Sequence, residues 1–352
     1  MNIKKLKVEG FEEVLRCDDP RSGLHAIIAI HSTTLGPALG GTRMWPYASD
    51  NEALTDVLRL SRGMTYKAAG AGLPLGGGKA VIIGDSKRDK SPALFEAFGA
   101  FVESLSGRYI TTEDVGITVA DIDIIRTKTK YVVGTDRAKG GSGDPSPYTA
   151  RGVFLSMKEC ARRVFGSDSL KGKTVAVQGV GSVGTNVVKH LVQEGAIVTA
   201  SDVVREKTEK LVNLFPNVTI VPQEEILILP CDIFAPCALG AVINDRTFSQ
   251  LRCRMVVGAA NNQLATLEHG DRLAERGVLY APDYIINAGG LINVFCELDG
   301  YREERSLQYI QEIPRNLSQV FEKSEKDGIS PARAADRWVE KRLAVKSLAS
   351  SS

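Results

Sequence analysis

The sequence predicts an α/β protein of two domains around a cleft, and three observations carry that reading. Short apolar segments alternate with amphipathic helical ones along most of the chain. A glycine-rich turn, Gly179-Val180-Gly181-Ser182-Val183-Gly184, follows one apolar segment without a break. A stretch of Gly, Ser and Pro, Lys139-Gly140-Gly141-Ser142-Gly143-Asp144-Pro145-Ser146-Pro147, separates two blocks of the alternation, as a boundary crossed by few contacts does. A length of 352 residues suits two domains, read as 1–134 and 135–330, with a helical segment at 331–352 expected to pack back on the first.

In chain order, residues 24–30 read as a strand, and 51–64 as a helix with Leu54, Val57, Leu58 and Leu60 on its apolar side. Residues 80–83 form a buried strand before a charged turn at 85–90. Ser91-Pro92 then opens a helix to about 105, with Pro at its favoured first position. A strand at 109–112 closes the first block. Beyond the Gly/Ser/Pro stretch, 149–164 reads as a helix, and a fresh alternation places strands at 174–178, 197–202, 232–235, 255–259 and 278–281. Repeated βα units favour a parallel sheet with helices on both faces. From Gly300 to about Leu348 the chain reads as amphipathic helix.

Composition excludes several classes. With 43% hydrophobic and 24% charged residues the chain is not disordered. Its 44 Lys and Arg against 42 Asp and Glu leave a net charge of +2, so bulk electrostatics give no support for a nucleic-acid partner. No apolar stretch nears the roughly 20 residues of a membrane span, and no apolar region follows Lys4, Lys5 and Lys7 to make a signal peptide. The six cysteines form no C-x-x-C pair, and His25, His31, His190 and His269 are scattered, so no metal site is expected. A core this large needs no disulfide staples, and a cytoplasmic location is expected.

The strand at 174–178 running into Gly179-x-Gly181-x-x-Gly184, then a helical segment, a second strand and Asp202 about 20 residues on, is the order of a dinucleotide site. Gly179 permits the tight turn, Gly181 lets backbone approach a pyrophosphate, and Gly184 allows close helix–strand packing. The anion rests on Val180, Ser182 and Val183 backbone at the positive end of the helix. Asp202 suits ribose hydroxyls and repels a 2′-phosphate, which favours NAD over NADP, although Arg205 stands nearby.

A second glycine cluster, Leu75-Gly76-Gly77-Gly78-Lys79, is not a Walker A loop, because Leu73 and Ala80 occupy the positions that need Gly and Ser or Thr. It leaves Lys79 between side-chain-free backbone and an apolar strand, where desolvation favours the neutral amine and makes it a candidate general base. Lys67, closing Arg62-Gly63-Met64-Thr65-Tyr66-Lys67, suits an α-carboxylate. Asp114, just past Thr111-Thr112-Glu113, suits a substrate ammonium or a proton relay. Each alone reads as a surface charge. Together with a dinucleotide they fit hydride transfer at a carbon bearing NH3+ and COO−.

The chain resembles the glutamate/leucine/phenylalanine/valine amino-acid dehydrogenase superfamily, its leucine branch above all. The resemblance rests on ordered stretches that include Leu35-Gly36-Pro37-Ala38-Leu39-Gly40-Gly41-Thr42-Arg43, Gly63-Met64-Thr65-Tyr66-Lys67, Glu113-Asp114-Val115-Gly116, Ala235-Pro236-Cys237-Ala238-Leu239-Gly240, Gly258-Ala259-Ala260-Asn261-Asn262-Gln263 and Ile286-Asn287-Ala288-Gly289-Gly290. It implies an N-terminal catalytic and oligomerisation domain, a Rossmann-type NAD-binding domain and a homo-oligomer, octamer or dimer. It also implies reversible oxidative deamination of an L-amino acid to its 2-oxo acid and ammonia. By the same resemblance Lys79 activates water, Lys67 holds the substrate carboxylate with backbone near Gly40 and Gly41, and Asp114 steers the amino group. Thr149, Cys237, Ala238 and Asn261 are implied nicotinamide-side contacts, and Asn287 lines the cleft. Hinges are expected near 139–147 and at Gly289-Gly290.

The implied side-chain pocket is Leu39, Gly40, Thr112, Leu291 and Val294. It carries no Lys or Arg, so a glutamate carboxylate would enter unpaired at a cost of several kcal/mol. Thr112 and Leu291 are larger than the residues usual there, which favours leucine, valine and isoleucine over aromatic substrates. A phenylalanine-type dehydrogenase and a non-catalytic NAD-binding sensor stay open as alternatives. A 2-hydroxy-acid dehydrogenase lacks its histidine motif.

Overall fold

The computed structural model describes residues 1–350. The chain divides into two compact units. One comprises Met1–Asp144, Val294–Glu303 and the chain from Lys341; the other comprises Pro145–Asn293 and Glu304–Glu340.

The first unit is built on six strands: β1 (Asn2–Leu6), β2 (Glu13–Asp19), β3 (Leu24–Ser32), β4 (Ala38–Trp45), β5 (Gly76–Ile83) and β6 (Tyr109–Glu113). Helices α1 (Asp50–Gly70), α2 (Pro92–Glu103) and α3 (Val119–Arg126) accompany them. The sheet order is β1-β2-β3-β5-β4-β6. Its first three pairings are antiparallel, and β5–β4 and β4–β6 are parallel.

Strands β1, β2 and β4 go beyond the sequence expectation. The first is an exposed, lysine-bearing edge. The fourth contains Gly40-Gly41, poor strand formers that become strand because β5 and β6 pair on either side. The glycines before Lys79 are also strand rather than loop, since β5 begins at Gly76.

Helix α1 runs six residues past the expected end at 64; it buries Ala53, Val57, Ser61, Thr65 and Ala68, with Leu54 and Leu58 of the expected apolar side only partly buried at the edge of that contact. The reason is distance. A Cβ on Gly77 would stand 2.0 Å from the Thr65 nitrogen, so α1 lies directly on β5 through small residues on both sides. Its N-terminus is capped by the Ser49 side chain, which accepts from the Glu52 N–H at 3.2 Å.

Strand alternation and register place Leu39, Gly41 and Arg43 of β4, Gly77, Lys79 and Val81 of β5, and Ile110 and Thr112 of β6 on one face. That face carries α1, because Val81 packs with Ala53 and Val57. The opposite face, with Ile28, Ala80, Ile82 and Tyr109, buries the phenylalanines of α2.

The second unit has a wholly parallel sheet ordered β12-β11-β10-β7-β8-β9. Its strands are β7 (Thr174–Gln178), β8 (Ile197–Ser201), β9 (Thr219–Ile220), β10 (Cys231–Pro236), β11 (Cys253–Val256) and β12 (Leu279–Tyr280). Helices α4 (Ser146–Phe165), α5 (Ser182–Glu194), α6 (Arg205–Leu214), α7 (Gln223–Ile226), α8 (Leu267–Glu275) and α9 (Asp283–Ile286) join them. Val175 and Val177 pack in one apolar cluster and Ala176 in another, so both faces of β7 are covered.

The chain continues through α10 (Gly289–Phe295), α11 (Glu303–Gln311), α12 (Ile313–Asp327) and α13 (Pro331–Ser350). The helical stretch expected from Gly300 is therefore three helices. Pro314 opens the second, and Gly328 at φ +63 ends it.

The α1–β5 contact makes Gly77→Ala a severe test of the packing. Relieving the overlap costs about 1–3 kcal/mol, and the first melting transition should fall by several degrees in circular dichroism. An unchanged transition would mean that α1 can move off the strand.

Candidate active site

Lys79 sits in the middle of β5 on the face covered by α1, and it is 6% exposed. Its Nζ lies 2.7 Å from Oδ2 of Asp114, the first residue past β6. A lysine buried in a sheet is tolerable only when paired, and Asp114 supplies the partner. Gly41 makes room for it, since a Cβ there would stand 2.9 Å from the Asp114 Cβ. Next to it, the Gly40 carbonyl accepts from the buried Tyr109 hydroxyl at 2.6 Å.

The same Oδ2 of Asp114 also accepts from Nε of Arg43 at 3.2 Å. Arg43 in turn donates through Nη1 to Oδ2 of Asp56 at 2.9 Å, and the Tyr47 hydroxyl donates to that oxygen at 2.7 Å. Burial alone would raise the Asp114 carboxyl, but Lys79 and then Arg43 outweigh it and hold it below the usual carboxylate range. For Arg43, burial lowers the guanidinium while Asp114 and Asp56 outweigh it, and the net direction is up.

Lys67 lies in the last turn of α1, where its carbonyl accepts from the Ala71 N–H at 2.9 Å. Thr112 pairs in register with Gly41. Its Oγ1 is buried without a hydrogen-bond partner and is pressed against Gly134, where a Cβ would stand 2.3 Å away. Leu39 is fully buried on β4. Val294 and Leu291 are buried three residues apart on α10, Val294 in the first unit and Leu291 in the second.

In the second unit the expected residues gather at the carboxyl ends of the strands. Gly179 follows β7, Asp202 follows β8, Cys237 and Ala238 follow β10, and Asn261 lies beyond β11. Strand order reverses between β7 and β10, the position where open α/β sheets bind ligands. Gly179 adopts φ +94, and a Cβ there would stand 2.6 Å from the Ala238 Cβ. A Cβ on Gly184 would overlap the Gly179 carbonyl oxygen at 2.0 Å, whereas one on Gly181 meets nothing within 4 Å. The turn is thus closed where the helix packs and open at the N-terminus of α5, where Ser182 and Val183 begin the first turn.

Beside it lies a cavity of about 300 Å³ lined by Gly179, Asp202, Ala238, Leu239 and Asn244 among others. Asp202 is fixed there by two backbone groups, the Val180 N–H to Oδ2 and the Val204 N–H to Oδ1, each at 2.9 Å. Each carboxylate oxygen keeps a further lone pair. Arg205 is paired within its own helix to Glu209 at 2.8 Å, and Lys207 Nζ stands 3.9 Å from Asp202 Oδ1.

Asn287 donates through Nδ2 to Oδ1 of Asn261 at 2.8 Å and to the Ala259 carbonyl at 3.2 Å. Its own Oδ1 is buried and unpaired, an acceptor available to a ligand. The Thr149 hydroxyl donates to the Pro145 carbonyl at 3.2 Å and lies against Gly290, where a Cβ would come within 2.7 Å. Burial pushes the Cys237 thiol up to about 11, so it stays protonated at neutral pH. These residues fit a dinucleotide. Among the described residues no group of His, Cys, Asp or Glu could hold a metal ion, and no helix is long and apolar enough to cross a membrane.

Arg43, Asp56 and Tyr109 were missed by the sequence reading. Arg43 stands within the stretch that carries the resemblance, but nothing local distinguishes it from a surface charge.

A buried lysine–carboxylate pair in one unit and a glycine-rich strand-to-helix turn in the other fit the class of the nucleotide-dependent oxidoreductases. Comparison with known proteins narrows it. Residues 11–131 match the Glu/Leu/Phe/Val dehydrogenase dimerisation domain, and residues 140–336 match the Glutamate/Leucine/Phenylalanine/Valine dehydrogenase domain. Leucine dehydrogenase of Bacillus subtilis (strain 168) is 53% identical over 341 residues, covering 97% of this chain and 93% of that protein. Phenylalanine dehydrogenase of Lysinibacillus sphaericus is 50% identical over 344 residues, covering 96% and 90%. The crystal structure of L-tryptophan dehydrogenase from Nostoc punctiforme superposes with a TM-score of 0.84 at 46% identity, covering 96% and 97%. The chain belongs to the Glu/Leu/Phe/Val dehydrogenase family. It is an amino-acid dehydrogenase, and a nicotinamide cofactor is implied.

The depressed Asp114 carboxyl has a testable sign. Its stabilisation is present above the ordinary aspartate value of about 3.9 and is lost as pH falls toward the lower folded value. Asp114→Asn should therefore lower Tm at pH 7, and the gap to the parent protein should narrow as pH drops below about 4. A gap that widens on acidification would contradict the pairing.

Proposed function

We propose that the chain catalyses the reversible, NAD-dependent oxidative deamination of branched-chain L-amino acids, namely leucine, valine and isoleucine, to their 2-oxo acids and ammonia. The observation that carries this reading is the buried Lys79–Asp114 pair beside Gly40-Gly41, in a chain 53% identical to a leucine dehydrogenase.

In this reading Lys67 pairs with the substrate carboxylate, helped by backbone at Gly40 and Gly41. Asp114 accepts from the substrate ammonium through the lone pairs that Lys79 and Arg43 leave open and takes its proton, so the α-carbon bears a neutral amine when its hydride leaves. Bound NAD+ supplies the acceptor for the hydride that leaves the α-carbon. Lys79, as the neutral amine, takes a proton from the water that attacks the resulting iminium carbon. The pair then returns a proton to nitrogen, and Lys79 takes the hydroxyl proton as ammonia departs. Burial keeps bulk water from competing for these transfers.

The cofactor assignment to NAD rests on Asp202, whose carboxylate lines the cavity and repels a 2′-phosphate. Gly179 to Gly184 hold the pyrophosphate, and Thr149, Cys237, Ala238, Asn261 and Asn287 are assigned to the nicotinamide side. Leu39, Thr112, Leu291 and Val294 are assigned to the aliphatic side chain of the substrate. The family's dimerisation domain supports a homo-oligomer, octamer or dimer. Six free thiols suit the reducing cytoplasm.

The second reading is an aromatic amino-acid dehydrogenase, favoured by the 50% identity to a phenylalanine dehydrogenase. Steady-state kcat/KM over Leu, Val, Ile, Phe and Trp separates the two. The aliphatic substrates should lead, with differences of about 1–3 kcal/mol per methylene-sized change. A higher value for Phe would select the second reading.

Lys79→Ala should lower kcat by about 10²–10⁴, measured as NADH absorbance, with dinucleotide affinity retained. Near-parental turnover would reject Lys79 as the base. Asp202→Asn should weaken NAD+ binding in a fluorescence titration and narrow the preference over NADP+. An unchanged ratio of the two affinities would remove Asp202 from that role.

A further inference from the structure

We propose that Arg43 is a positioning residue for the reaction: anchored by Asp56 and Tyr47, it fixes the Asp114 carboxylate and shares its charge, and so loosens that carboxylate's hold on the Lys79 ammonium. The inference rests on the function proposed above. It adds a residue that touches neither substrate nor cofactor in that scheme.

The geometry sets Arg43 in competition with Lys79. Both cations address the same oxygen, Oδ2 of Asp114, Lys79 Nζ at 2.7 Å and Arg43 Nε at 3.2 Å. An oxygen that serves a guanidinium as well holds the ammonium less tightly, and the guanidinium charge opposes a second positive charge beside it. Arg43 is itself held from the far side. Asp56 of α1 takes its Nη1 at 2.9 Å and is bound through the same oxygen by the Tyr47 hydroxyl at 2.7 Å, while Arg59 approaches the other oxygen at 3.2 Å. Charges therefore alternate along one line: Asp56, Arg43, Asp114, Lys79. A planar guanidinium can bridge two carboxylates in fixed geometry, which a flexible ammonium cannot do as well.

The surrounding elements contribute other titratable groups. Helix α1 carries Arg62 and Lys67, β3 carries His31, whose Nδ1 is 2.9 Å from the Thr65 hydroxyl, and β6 ends at Glu113. These four groups keep their identity when Arg43 or Asp56 is changed; Asp56→Asn also removes the carboxylate that Arg59 and the Tyr47 hydroxyl address, which leaves a second cation uncompensated and acts in the same direction. The midpoint that kinetics reads belongs to the coupled Lys79–Asp114–Arg43 group rather than to one residue.

The test is the pH profile of kcat/KM for leucine oxidation in the purified full-length enzyme with NAD+. It compares the parent, Lys79→Ala, Arg43→Gln, Arg43→Lys and Asp56→Asn, each with a melting curve. Arg43→Gln removes the competing charge, so the acid limb should move up by about one pH unit. That corresponds to about a tenfold loss of kcat/KM below the midpoint. Arg43→Lys should return the midpoint toward the parent value without restoring the full kcat. Asp56→Asn leaves the Arg43 charge uncompensated, so its acid limb should move the opposite way, down. Opposite shifts from two neighbouring substitutions are not produced by loosened packing, which lowers kcat at an unchanged midpoint. If Arg43→Gln does not fold, the downward shift in Asp56→Asn and its absence carry the decision. An inactive Lys79→Ala together with parental midpoints in the Arg43 and Asp56 variants would overturn the proposal and leave the function standing. A fully active Lys79→Ala would overturn the functional reading beneath it.

Discussion

An ammonium group held inside a β-sheet is the constraint around which the first unit is arranged. Lys79 is almost wholly removed from water, and Asp114 is the counter-charge that makes this tolerable. The neighbouring sequence is unusual for a sheet because it must leave space. Gly76, Gly77 and Gly78 precede the lysine, Gly40 and Gly41 stand on the next strand, and the covering helix offers Ala53, Ser61, Thr65 and Ala68 instead of large side chains. Glycine in strands and small residues on a buried helix face both weaken a core. Here Gly41, Gly77 and the small residues of α1 let backbone, lysine and carboxylate approach closely on one face, while Gly78 admits the Tyr109 ring on the other, which carries the phenylalanine-rich core that holds the sheet.

The second unit answers a different requirement, the placing of backbone N–H groups and a few side chains at one edge of a parallel sheet. Because every strand runs the same way, Gly179, Asp202, Cys237 and Asn261 all emerge at the same edge. Asp202 shows how a single carboxylate can hold two segments of backbone and still face a cavity. It ties down Val180 in the glycine turn and Val204 at the start of α6, and the same two bonds orient it in the cavity wall. Asn287 does the same beside β11, spending its amide on Asn261 and Ala259 and leaving its carbonyl oxygen unpaired.

What could be read in advance follows the range of the interactions. The run from β7 through Gly179-x-Gly181-x-x-Gly184 into α5 was legible because turn, helix start and apolar strand are all local. Strand β4 was not, because Gly40 and Gly41 argue against a strand until β5 and β6 are seen on either side. Lys79 and Asp114 could be singled out separately, but their contact depends on the order β5-β4-β6. Arg43 was invisible for the same reason, as its two carboxylates lie 13 and 71 residues away in sequence. On α1 the expected apolar side is met by Val57 and, at its margin, by Leu54 and Leu58, but the most buried positions are small residues, because this helix is placed by how closely it must approach a glycine strand.

In the proposed reaction the Lys79 amine is the proton acceptor in turnover, and chemical rescue reads that role. Removing the side chain as Lys79→Ala leaves space for a small primary amine, so added alkylamines should restore oxidation of leucine. The rescue rate should rise with the basicity of the amine, as general-base catalysis requires. Rescue that ignores amine basicity, or a truncated enzyme that neither needs nor responds to amines, would remove Lys79 from that role.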